Sequence, residues 1–187
     1  MKPSCPTPTH LRFLQTSLLD QVKPPILSPL IFYYSKKHIP NTSVNETLER
    51  LKTSLPTTLS VFYPLAGRIQ DVSHIACNDE GVPYVQVKVE QRLEDVLHQS
   101  QAISTQQIVT ALRQRRVYEV DVSHPSQRFC VWWACPLGVK MNHALSDGFS
   151  MFMFVKTWAS IASGKNPDTL PHSLISTYGS YFHHNHM

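Results

Sequence analysis

The chain has 187 residues, 42% of them hydrophobic and 16% charged, with a formal net charge of +4 and ten histidines. That length and balance leave room for a real core and exclude a disordered polar chain. A positive charge so modest and dispersed makes no case for nucleic acid and only mildly favours an anionic small molecule. Cys5, Cys77, Cys130 and Cys135 show no Cys-x-x-Cys spacing, so reduced thiols in a cytosolic protein are expected. Met1 to Pro6 has no apolar secretory core, and no apolar run approaches the ~20 residues needed to span a bilayer. The expectation is a soluble, cytoplasmic protein with no membrane contact.

Residues 3–9 alternate proline with small polar residues, which favours an extended start. Leu18-Leu19-Asp20-Gln21 follows, and Pro24-Pro25 stops any helix there. Pro29 to Tyr34 is rich in β-formers with proline in front, so a strand is expected from Pro29. Lys36 to Thr42 is a polar loop. Ser43 and Glu46 have the spacing of a capping box, and Val44, Leu48, Leu51, Leu55, Leu59 and Phe62 recur at steps of three and four, one face of a helix. Pro56, which costs a helix interior ~3 kcal/mol, is expected to kink that helix or divide it near Ser54. Tyr63 to Arg68 ends it as a turn.

Ile75 to Cys77 and Val82 to Val89 read as strands around the turn Asn78-Asp79-Glu80-Gly81, with Val85, Val87 and Val89 opposite Tyr84, Gln86 and Lys88. Leu93 to Leu97 suggests a short helix. Ile103 to Arg116 suggests another, with Ile108, Ala111 and Leu112 inward and a basic end at Arg113 to Arg116. No aromatic companions surround those arginines, so nucleic-acid contact is not expected. Phe129 to Met141 reads as two strand segments with Pro136 between them. Ser146 or Asp147 can cap the next helix, whose buried stripe is Met151, Val155, Trp158 and Ala162 and whose stop is Gly164. His183, His184 and His186 in the tail are read as a frayed terminus, and no metal site is expected.

The stretch Met141-Asn142-His143-Ala144-Leu145-Ser146-Asp147-Gly148 carries the chemistry. An apolar strand delivers His143 to a short polar turn from which a helix departs, so rigid elements would hold it on both sides, as a general base requires. The competing reading is an ordinary structural histidine, because a bare His-x-x-x-Asp is weak evidence among ten histidines. Ser146 as a nucleophile lacks a Gly-x-Ser-x-Gly elbow, and Cys135 reads as a structural strand cysteine.

Several segments together resemble the plant BAHD acyl-CoA-dependent acyltransferases, in their vinorine-synthase-like branch. The matching stretches are Pro3 to Pro8, Leu18 to Gln21, Leu51 to Leu55, Phe62 to Arg68, Cys77 to Val82, His143 to Gly148 at the His-x-x-x-Asp signature, Trp158-Ala159 and Gly164. The resemblance covers residues 3–97 and 137–164. It implies an α/β fold like chloramphenicol acetyltransferase, a mixed sheet with flanking helices, of which this chain is the first of two domains. The implied organisation is an acyltransferase domain over 1–164, divergent at 99–128, an irregular tail over 165–187, and no second domain. The family's Asp-Phe-Gly-Trp-Gly motif is missing, Cys135 to Gly138 shortens the strand before the signature, and Pro56 interrupts a helix that is continuous in the family.

The chemistry implied is transfer of an acyl group from acyl-CoA, a co-substrate and not a bound cofactor, to the hydroxyl or amine of a plant specialised metabolite such as an alkaloid. His143 would take the acceptor's proton; an imidazole with pKa near ~6.5 suits that task. By the same resemblance Asp147 points away from substrate towards an arginine of the second domain, so Asp147 and Gly148 are expected to be structural. Coenzyme A contacts are not assignable to particular residues. The alternative is a truncated, inactive product acting at most as a binding module, with association through the surface that a second domain would cover.

Overall fold

The computed structural model describes residues 1–22, 26–33, 44–87, 128–132, 136–143 and 145–166. In chain order the elements are β1 (Phe13–Gln15), α1 (Leu18–Gln21), β2 (Leu27–Tyr33), α2 (Val44–Val61), β3 (Arg68–Ile69), β4 (His74–Ala76), β5 (Tyr84–Val87), β6 (Arg128–Trp132), β7 (Pro136–Asn142) and α3 (Gly148–Ala162). Single 3-10 turns cover Thr9–Leu11 and Tyr63–Ala66. The expected helices at 93–97 and 103–116, the Ser43 cap, the loop at 36–42 and the tail histidines lie outside the described residues.

Two sheets result. β1, β4 and β3 form an antiparallel sheet in that order, and β2, β7, β6 and β5 form a mixed one in which β5 and β6 run parallel. The strands flanking Asn78 to Gly81 therefore enter different sheets and do not pair. Positive φ values at Asp79 (58°) and Gly81 (83°) turn the chain between them. Asp79 is held in that conformation because its carboxylate accepts from Thr7 N at 2.9 Å and Thr7 Oγ1 at 2.6 Å.

β2 begins at Leu27, two residues before the expected start, and Pro29 sits inside it opposite Lys140. The strand tolerates proline because it is at the edge of the described sheet. The His143 amide donates to the Ile26 carbonyl at 2.8 Å, so even-numbered residues turn their backbone polar groups towards β7. Odd-numbered Pro29 turns outward, where its missing N–H removes no ladder bond.

α2 buries Leu48, Leu55 and Leu59, followed by Phe62, and half-buries Leu51, the face given by the three-and-four spacing. It is not divided at Pro56: the helix runs unbroken to Val61. The proline removes the donor that would serve the carbonyl of Lys52, but side chains add bonds on either side. Ser54 Oγ donates to Leu51 O at 3.1 Å, Thr58 Oγ1 to Ser54 O at 3.0 Å and Ser60 Oγ to Pro56 O at 3.2 Å. Tertiary packing does the rest. Trp158 of α3, fully buried, donates its indole N–H to Leu51 O at 2.9 Å, and Phe154 meets Phe62 edge-on at 5.3 Å between ring centroids.

One core joins the layers. Leu137, Val139 and Met141 of β7 share a face and pack with Leu55 and Leu59 of α2 and Phe154 and Trp158 of α3, while Leu14 and Ile75 bring in the smaller sheet. Gly67 allows the closest approach between the α2 terminus and β4, since a Cβ there would fall 2.3 Å from the Ala76 carbonyl oxygen. No helix among the described residues is long and apolar enough to cross a membrane.

Trp158→Phe loses both the bond to Leu51 and the volume of the fused pyrrole ring at a fully buried site. It should lower unfolding free energy by about 2 kcal/mol in a denaturant titration, with the m-value unchanged. A second expectation concerns acid. At the β3–β4 turn Asp71 accepts from Ser73 N at 2.8 Å, meets His74 Nδ1 at 3.0 Å and accepts from Ser73 Oγ at 2.9 Å, in that order of effect, which holds its pKa down at about 2. A depressed carboxyl contributes stability above its unfolded pKa and loses it as pH falls through the folded one. Asp71→Asn should therefore remove part of the stability loss between about pH 4 and pH 2, read from melting temperature against pH.

Candidate active site

β7 ends at Asn142 and α3 begins at Gly148, so five residues separate the ladder from the helix. The chain turns here because Leu145 N and Ser146 N donate to Asn142 O at 3.0 and 3.1 Å. Asp147 then adopts extended backbone as the N-cap of α3, its Oδ1 accepting from Ser150 N at 2.7 Å. Of the two expected caps it is Asp147 that serves. Ser146 is buried and its hydroxyl reaches only the Asp147 carbonyl, at 3.4 Å.

His143 sits between these two anchors. Its amide is tied to Ile26, and the register Leu27↔Asn142 makes Ile26 and His143 the next cross-strand pair. The residue is half-buried, and Nδ1 is shielded from solvent without a hydrogen-bond partner. Among the described residues no carboxylate bonds the imidazole, and Asp147 Oδ1 accepts from Ser150 N of its own helix. The described residues therefore form no Ser-His-Asp relay, and Nε2 is the ring nitrogen left for a ligand.

Gly148 needs no special backbone, because its φ is not in the left-handed region and a Cβ built on it meets no atom within 4 Å. By contrast Gly164, with φ of 90°, ends α3 in the left-handed conformation that favours glycine. Cys135 lies outside the described residues, and burial, then the Asp79 charge, push the Cys77 thiol up to about 12, far from a reactive thiolate. No group of three or more metal-ligating side chains occurs among the described residues.

A protein-family model described as "Transferase family" matches residues 1–177. The chain belongs to this family, the BAHD acyltransferases. Among curated relatives, limonoid 1-O-acetyltransferase of Citrus sinensis is 30% identical over 182 residues, covering 94% of this chain and 41% of the relative. Vinorine synthase of Rauvolfia serpentina is 33% identical over 183 residues, covering 90% and 41% respectively. The crystal structure of vinorine synthase superposes with a TM-score of 0.73 at 29% identity, over 89% of this chain and 42% of that one. This BAHD chain thus has the expected chloramphenicol-acetyltransferase-like α/β architecture. It spans about two-fifths of the length of the relatives it matches.

Sequence reasoning placed His143, Asp147 and Gly148 together because they are neighbours in the chain. It missed Ile26, whose position opposite His143 depends on strand pairing across more than a hundred residues. Asp147→Ala should destabilise the fold by about 1 kcal/mol and Asp147→Ser by much less. Gly148→Ala should be neutral or stabilising by up to about 1 kcal/mol, since helix backbone and open space both accept the methyl. Thermal melts of the three variants check this.

Proposed function

We propose that this chain supplies the base-bearing part of an acyl-CoA-dependent acyltransferase that acylates a hydroxyl or amine of a plant specialised metabolite. The observation that carries the reading is a half-buried His143 fixed between a strand end and a capped helix, one ring nitrogen enclosed and the other left to a ligand. Family membership and the acetyltransferase names of relatives support it. Nε2 of the neutral imidazole takes the proton as the acceptor's oxygen or nitrogen attacks the thioester carbonyl. The tetrahedral oxyanion then collapses, the carbon–sulfur bond breaks, and the leaving thiolate of coenzyme A recovers the proton from the imidazolium. Asp147 takes no part in proton transfer; as the α3 cap it sets where the turn carrying His143 begins and ends.

The test is thiol release from acetyl-CoA in the presence of an alcohol acceptor. The chain is assayed alone and with the remaining portion of vinorine synthase added as a separate polypeptide. His143→Ala should lower acceptor-dependent release by at least about 100-fold, while Asp147→Asn retains most of it. Release that survives His143→Ala excludes the imidazole as base, and no release in either mixture favours the non-catalytic binding module.

A further inference from the structure

We infer that Ile26 forms a wall of the acceptor subsite beside His143 and selects an acceptor whose carbon skeleton next to the reacting hydroxyl or amine is apolar. The inference rests on the function proposed above and adds the substrate class and a residue that sets it. Three observations lead there. The His143 amide donates to the Ile26 carbonyl at 2.8 Å, one step beyond the ladder pair Leu27↔Asn142, so the two residues face each other across the strands. Directly opposed residues in an antiparallel pair project their side chains from the same face, about 5 Å apart at Cβ. That face is the one on which Leu137, Val139 and Met141 meet the core, with Leu30 and Phe32 of β2 packed against it. Ile26 and His143 thus stand where the apolar face of the sheet runs out.

Exposure supplies the second observation. Ile26 is 55% exposed, whereas Leu30 and Phe32 further along the same row are packed against the core. A single exposed isoleucine is ordinary on a surface. Beside the imidazole it means that a group approaching Nε2 along this strand end passes a branched hydrocarbon that offers it no hydrogen bond. The third observation is room. The turn after His143 is open at Gly148, where a Cβ would touch nothing within 4 Å, and Phe149 next to it is exposed.

These features discriminate by chemistry. An acceptor bearing further hydroxyls beside the reacting one would have to strip water from them against Ile26 and gain no bond in exchange. One with methyl, methylene or aromatic carbons there would cover the isoleucine and gain its burial. The wall therefore favours apolar alcohols over polyols.

The test is binding, followed by carbon–proton NMR on the full chain with benzyl alcohol as the apolar probe and glycerol as the polar one. Benzyl alcohol should shift the Ile26 methyl and His143 ring signals together and saturably, and glycerol should shift neither. Ile26→Asp should weaken benzyl alcohol binding by about tenfold. Ile26→Leu should restore it, and Val72→Asp, at a still more exposed apolar position in the turn between β3 and β4, should leave it unchanged. Both aspartate variants lie at exposed sites, and an unchanged amide spectrum away from the substitution verifies their folding.

Unaltered affinity in Ile26→Asp, movement of the His143 signals without those of Ile26, equal response to glycerol, or no binding of benzyl alcohol would each overturn the inference. Its failure is separable from that of the function. Transfer that depends on His143 yet is indifferent to Ile26→Asp removes only the wall. Apolar binding through Ile26 without His143-dependent thiol release removes only the catalysis.

Discussion

The antiparallel pairing of β2 with β7 is the constraint on which the rest of the structure depends. Seven consecutive pairs, from Leu27↔Asn142 to Tyr33↔Pro136, hold the two strands in one register. A slip of one residue would send every side chain of β7 to the opposite face. Leu137, Val139 and Met141 would leave the core, and the imidazole two positions beyond Met141 would turn away from the end of that row. The hydrophobic burial of three side chains thus decides which way a polar group presents itself. The core sets the direction of the imidazole, and the His143–Ile26 bond and the Asp147 cap hold it there.

The helices provide the backing. α2 and α3 lie against the β7 face and are joined by Phe154, Trp158, Leu55 and Phe62, with one buried indole–carbonyl bond where proline has weakened the α2 ladder. Such a bond is modest in free energy, but it fixes how far α3 can slide along α2. Because the Asp147 cap starts α3 five residues after the ladder ends, that sliding is the same coordinate that would move His143. A strand terminus on one side and a docked helix on the other leave the intervening turn little freedom.

Much of this was legible along the chain. The spacing of Leu48, Leu55 and Leu59 marked the buried face of α2, Pro136 marked the break before β7, and Asp147 and Gly164 bounded α3, because each signal is local. His143 stood out for the same reason, its neighbours on both sides having clear identities. Pro56 misled because propensity counts the lost backbone bond but not the side-chain donors and the tryptophan from a helix a hundred residues away. β2 starts two residues before the position that proline suggests, because the parity of Pro29, set by a distant partner, makes it harmless inside the strand. The parallel β5–β6 pairing and the opposition of Ile26 to His143 were beyond reach, since no local period encodes which strands meet.

The outward-facing proline of β2 has one more consequence. A sheet margin with an unbroken row of amide donors invites another chain to add itself, the route by which folded domains seed fibrils. At Pro29 that row has a gap, one donor fewer for a recruited strand to bond. Evolution could remove this guard by a single codon without disturbing the inner ladder at all. The price would appear only at high concentration, as self-templated growth from a protein whose native fold was unchanged.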